Sequence, residues 1–176
     1  RSTLFPYTTL FRSEKANLRA IGKHIRRARE IAGGGIIGIN IMAVTKNYAA
    51  YVKEAIANGI DLIITGAGLP TELPAIAKGA ATKLVPIVSP AKSARVILKL
   101  WDRKHHTAPD ALIVEGPKAG GHLGFKYDQL IDKDVNEKHE EDIKKILEMV
   151  KPYEEKYKKE IPVIVAGGIS SKEDKI

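Results

Sequence analysis

From Glu14 to about Ala32, apolar residues fall at Leu18, Ile21, Ile25, Ala28 and Ile31, steps of three and four that place them on one face of an amphipathic helix. Gly33 to Gly35 ends it, since glycine supplies the left-handed backbone that closes helices. Ile36 to Met42 is short and apolar throughout, the pattern of a strand covered on both faces in a parallel sheet. Asn47 to Ala57 predicts a helix closed by Asn58 and Gly59. Asp61 to Thr65 predicts a strand that runs into Gly66, Ala67 and Gly68, and Glu72 to Lys78 a short helix before Gly79. Leu84 to Val88 is a third strand, and Ala91 to about Lys104 a helix with Trp101 half buried. Ala111 to Val114 is a fourth strand, Glu137 to about Lys158 the longest helix, and Pro162 to Val165 a fifth strand leading into Ala166, Gly167 and Gly168.

Strands and helices alternate without exception, which calls for a parallel sheet with right-handed crossovers. A doubly wound sheet gathers its ligand groups at one switch point. Here polar or glycine-rich signals follow nearly every strand: Asn40, Thr65 to Gly68, Ser89, Glu115 to Gly124, and Ala166 to Gly168. That distribution predicts a (β/α)8 TIM barrel, with its site at the C-terminal mouth and about five of the eight βα units present. The expected split is one strand before Glu14 and two after Ile176. The polar stretch Lys126 to Asn136 would form a lid over the mouth.

The chain has 176 residues, 44% hydrophobic and 28% charged, a composition that fits one globular domain or part of one. Its first thirteen residues, RSTLFPYTTLFRS, contain Thr-Leu-Phe twice and read as an adaptor-like, non-native scar; the alternative is a hairpin turning at Pro6 and Tyr7. Residues 14–176 are then the partial barrel, truncated at both ends. The absence of cysteine excludes disulfides, thiolate nucleophiles and cysteine-based metal sites. No apolar run approaches the roughly 20 residues of a membrane helix. The net charge of +8 is spread over several segments and interleaved with acids from Glu140 to Glu160, so neither a nucleic-acid nor a membrane partner is expected. A cytoplasmic protein is the simplest expectation.

The candidate chemistry lies in Val114 to Phe125, VEGPKAGGHLGF. His122 stands among Gly120, Gly121 and Gly124, where glycine lets backbone approach a ligand, and imidazole suits proton abstraction near neutral pH. Asn40, inside an apolar strand, would be a buried amide in need of a partner. Gly167 and Gly168 could shape a phosphate site, with Ser170 and Ser171 capping a following helix. Ser89 before Pro90 reads as a helix N-cap. His24, His105, His106 and His139 read as surface residues, and adjacent His105 and His106 are a poor metal pair, so no metal site is expected.

The stretches GINIM (38–42), TGAGLP (65–70), VPIVS (85–89), VEGPKAGGHLG (114–124) and IPVIVAGGI (161–169), in this order, resemble the nitronate monooxygenase family, also called 2-nitropropane dioxygenases. These are FMN-dependent barrels similar to the FMN-containing enoyl-ACP reductases. The resemblance implies non-covalent FMN and oxidation of alkyl nitronates or nitroalkanes by O2 to a carbonyl compound and nitrite. It implies His122 as the catalytic base. Asn40, Glu115, Gly120, Gly121, Gly167 and Gly168 would be cofactor-binding, Glu115 standing where many members carry glutamine. The alternatives are an NAD(P)H-dependent enoyl-ACP reductase and an inactive barrel fragment.

Overall fold

The computed structural model describes residues 5–121 and 124–169, the first eight of these by backbone alone. Its elements are α1 (Phe5–Ala32), β1 (Gly38–Met42), α2 (Tyr48–Ala57), β2 (Leu62–Gly66), α3 (Leu73–Ile76), β3 (Lys83–Val88), α4 (Ala91–Leu100), a π-helical turn (Trp101–His105), β4 (Leu112–Glu115), α5 (Tyr127–Leu130), α6 (Val135–Tyr157) and β5 (Val163–Ala166). The five strands form one parallel sheet in the order β1-β2-β3-β4-β5. An order that follows the chain without reversal has no switch point, which sets this sheet apart from a doubly wound one and matches a segment of barrel wall.

Successive strand residues point to opposite faces, and the two faces differ. On one, Ile39, Ile41, Ile63, Leu112, Val114, Val163 and Val165 pack with Ile25, Val52, Ala94, Ile97, Leu98, Ile146 and Val150 in a single core shared by α1, α2, α4 and α6. The register sets Asn40 beside Ile64 and Val85, Ile87 beside Ile113 and Ile164, and Glu115 beside Ala166 on the other. There Met42 and Ile164 are 43% and 49% exposed. In a closed barrel this second face points at the axis.

The ends of the strands opposite the candidate site are held by a repeated device. The Asp61 carboxylate, just before β2, accepts from the Ile37 N–H at 2.9 Å and from Arg29 of α1 at 2.7 Å. Asp110, just before β4, accepts from the Leu84 N–H of β3 at 2.9 Å and from Lys83 and Lys159. Each carboxylate thus satisfies an N–H of the neighbouring strand and ties the sheet to a basic side chain.

Several expectations change. α1 begins at Phe5, so no hairpin forms at Pro6 and Tyr7. Ile31 is 71% exposed, because the helix buries Ile21, Ile25, Ala28 and Ala32 instead. Trp101 is fully buried rather than half buried, since the last turn of its helix widens to a π-turn and the indole Nε1 donates to the Pro70 carbonyl at 3.1 Å. The polar stretch Lys126 to Asn136 contains a short helix, α5, whose side chains are not buried. His139 is buried rather than on the surface: it lies four residues before Ile143 on the apolar stripe that continues through Ile146 and Val150.

Candidate functional site

The C-terminal ends of the strands carry two cavities that share the segment after β4. The larger, about 540 Å³, is walled by Val44, Gly68, Leu69, Ile87, Ser89 and Glu115 and reaches Gly124. The smaller, about 280 Å³, lies between Gly116 to Lys118, the first turns of α6 at Asn136, His139 and Glu140, and the β5 turn at Gly167 to Ile169. The segment that leaves β4 thus meets both, with Glu115 and Gly124 on the larger and Gly116 to Lys118 on the smaller. Its start is fixed to β5, because the Gly116 N–H donates to the Ala166 carbonyl at 2.8 Å and continues the ladder one residue beyond β4.

The turns are glycine-built for local reasons. Gly167 and Gly168 hold φ of +94° and +80°, and a Cβ on them would stand 2.8 Å from the Ala119 Cβ and 2.5 Å from the Lys118 Cβ. Only glycine lets the β5 turn close on the β4 turn this tightly. Gly121 also has positive φ, +85°, while Gly120 and Gly121 are both exposed. In the turn after β2, Ala67 and Gly68 take φ of +51° and +127°.

Glu115 lies in the larger cavity beside Ile87 and Val88, and burial pushes its carboxyl above the ordinary range. Ser89 is buried in the same wall, but its side chain does not cap α4; Pro90 holds the N-cap position, and the Ser89 N–H donates to the Ser93 hydroxyl at 3.3 Å. A Cβ on Gly124 would run into the Ser89 hydroxyl, so this part of the segment lies directly on the serine. Thr65 is fully buried with its hydroxyl donating to the Ile41 carbonyl at 2.7 Å, which makes it a strand-to-strand tie.

Of the residues singled out from sequence, Glu115 ends β4 and lines the larger cavity, Gly167 and Gly168 line the smaller, and Gly120 and Gly121 are exposed and line neither. Asn40 stands apart in the middle of β1, lines neither cavity, and is exposed rather than buried, so burial places no demand on its amide. His122 and the serines at 170 and 171 lie outside the described residues. Among the described residues, no cluster of three or more His, Asp or Glu is placed to hold a metal ion, and no helix is long and apolar enough to cross a membrane.

Sequence reasoning missed His139. Its side chain is 7% exposed, and neither ring nitrogen has a hydrogen-bond partner among the described residues. Burial holds its pKa below the ordinary value, while Asp142 and Glu140 pull weakly the other way, so the ring is neutral at neutral pH. An orphaned polar group of this kind costs about 1–3 kcal/mol. The available signal was its place on the apolar stripe of α6.

A cavity of this larger size falls within the range that takes a small organic ligand. Apolar walls for a planar ring, glycine turns without side chains and Lys118 beside the smaller cavity together fit a flat, phosphorylated cofactor.

The nitronate monooxygenase family profile matches residues 6–175. FabK from Thermotoga maritima has a solved structure similar to this chain, with 25% identity and a TM-score of 0.60 over 87% of this chain and 41% of that one. Its M276A mutant gives the same identity and TM-score over 44% of its length. Nitroalkane oxidase from Streptomyces ansochromogenes, at 19% identity and a TM-score of 0.55, shares the fold over 86% of this chain and 48% of that one. The chain thus spans less than half the length of these structures. No curated protein matches it significantly.

Proposed function

The chain belongs to the nitronate monooxygenase family, and from that premise we propose that it forms part of an FMN-dependent oxidoreductase that converts alkyl nitronates and O2 to a carbonyl compound and nitrite. The observation that carries this reading is the pair of cavities lined by Glu115, Gly116 to Lys118 and Gly124, between which His122 stands in sequence. FMN, when bound, supplies the path for electrons from substrate carbon to oxygen.

This chain's own residues would bind, orient and move a proton. The Gly167–Gly168 turn and Lys118 suit the phosphate end, where backbone N–H groups and a cation meet an anion. Gly120 and Gly121 leave room for a ring to approach backbone. Glu115 faces the larger cavity where a glutamine amide would otherwise stand, and its carboxylate accepts a hydrogen bond there rather than donating one. Asn40 is the amide that the family resemblance implies as a further cofactor contact, and its side chain is exposed on the open face of the sheet. His122 would take the proton next to the nitro group of a neutral nitroalkane, whereas a nitronate has already lost it.

The test is His122→Asn assayed on both substrates. Nitroalkane turnover should fall by about 10²- to 10⁴-fold, the usual worth of a general base, with nitronate turnover nearly kept. Equal losses on both would overturn the assignment of the base.

A second reading is the NAD(P)H-dependent enoyl-ACP reductase, favoured by the higher identity and TM-score to FabK. Flavin reduction by NADH with an enoyl thioester as acceptor, and none by nitronate, would select it.

A further inference from the structure

We infer that His139 is a positioning residue that sets, from α6, both ends of the loop carrying His122. The inference rests on His122 being the base.

The loop begins at Gly116 and ends at Phe125, and the imidazole of His139 meets both. Its Nε2 and Cδ2 stand 3.1 Å and 3.4 Å from where a Gly116 Cβ would lie, so the ring rests on the backbone of the loop's first residue. The Phe125 ring meets it edge-on, with centroids 6.0 Å apart and planes at 72°. The imidazole thus fills the gap between the two ends.

The post is rigid. Ile143, Ile146 and Val150 are buried on the same stripe of α6, and the Asp142 carboxylate accepts from the Ala91 N–H at 3.0 Å, fixing α6 to the start of α4. The partner it supports is fixed as well, since Gly116 is bonded to Ala166 of β5. With both ring nitrogens unpartnered among the described residues, the ring acts through shape rather than through a hydrogen bond. Nothing in the proposed proton transfer uses His139 itself.

A size swap tests this. His139→Ala empties the gap, Gly116→Ala sets a methyl 3.1 Å from the ring Nε2 so that the ring must shift, and the double variant leaves the Gly167 carbonyl, at 3.4 Å, as that methyl's nearest contact. The readouts are tryptic cleavage after Lys118, inside the loop, relative to cleavage elsewhere, and the ring-proton NMR signals and titration of His122. Each single change should speed loop cleavage about tenfold and move the His122 signals, and the double should recover most of both. A double variant no better than the singles, or singles that leave the loop and His122 as in the wild type, would overturn the inference.

His139→Leu keeps the experiment decisive if the alanine variant unfolds. It keeps an apolar body on the stripe and gives up the ring edge against Gly116, so melting temperature should hold or rise while the loop loosens. A leucine variant whose loop matches the wild type would overturn the inference. FMN titration of each protein separates the two claims. Coupling without any FMN binding overturns the functional reading alone, and FMN binding without coupling overturns the positioning role alone.

Discussion

The buried indole of Trp101 donates its Nε1 hydrogen to the carbonyl of Pro70 at 3.1 Å, across 31 residues of sequence. Pro70 closes the turn after β2, and Gly68 and Leu69 of that turn wall the larger cavity. The hydrogen bond therefore fastens one side of the candidate site to the helix layer. Trp101→Phe keeps most of the apolar volume but leaves the Pro70 carbonyl without its donor. The expected cost is about 1–3 kcal/mol, read as a lower urea midpoint. An unchanged midpoint would show that the bond does not hold the turn.

Asp61 links acid stability to the opposite end of the strands. The Arg29 guanidinium and then the Ile37 N–H hold its carboxyl below the ordinary range. A depressed folded pKa stabilises above the unfolded value of about 3.8 and is lost as pH falls through the folded value. Asp61→Asn should melt below the wild type at neutral pH, with the gap narrowing under pH 3.8. A gap that persists unchanged into strong acid would contradict the ionised pairing.

Tyr157 supplies the alkaline counterpart. Burial, followed by its 2.5 Å hydrogen bond to Asp102, pushes its phenol up to about 12. A raised folded pKa gives stability that is complete below the unfolded value near 10 and disappears as pH climbs to about 12. In a tyrosinate absorbance titration, one step should come near 12 and vanish in Tyr157→Phe. A titration with no late step would contradict it.

Much of the fold was legible because burial imposes period on sequence. Ile21, Ile25 and Ala28 announced α1, and the apolar run ending in Met42 announced β1. The glycines after β2 and β5 gave the mouth of the barrel its position. What escaped were facts that depend on partners distant in sequence. Trp101 is fully buried because Pro70 accepts its hydrogen bond, and no local pattern carries that. His139 looked polar and so was read as exposed, yet its i+4 relation to Ile143 outranked its chemistry. Asn40 erred the other way: an apolar neighbourhood in sequence suggested burial, while strand alternation turned its side chain to the open face. Ser89 precedes Pro90 as an N-cap would, but Ser93 lies close enough to take its N–H instead.

The β5 turn gives a prediction about the cofactor. Gly168→Ala adds a side chain at φ of +80° and presses it on Lys118. Strain of about 1–3 kcal/mol corresponds to roughly 5- to 150-fold in affinity if the turn holds the phosphate end. Flavin fluorescence titration should show that loss. A variant that is less stable yet binds FMN as tightly as the wild type would remove the turn from the phosphate site.

The most direct measurement is a visible spectrum of the purified protein titrated with FMN, recorded before and after anaerobic propyl-2-nitronate and again after air. The account predicts a bound flavin whose long-wavelength band is bleached by the nitronate and restored by oxygen. A bound flavin bleached by NAD(P)H alone, or a protein that takes up no FMN at all, would contradict it.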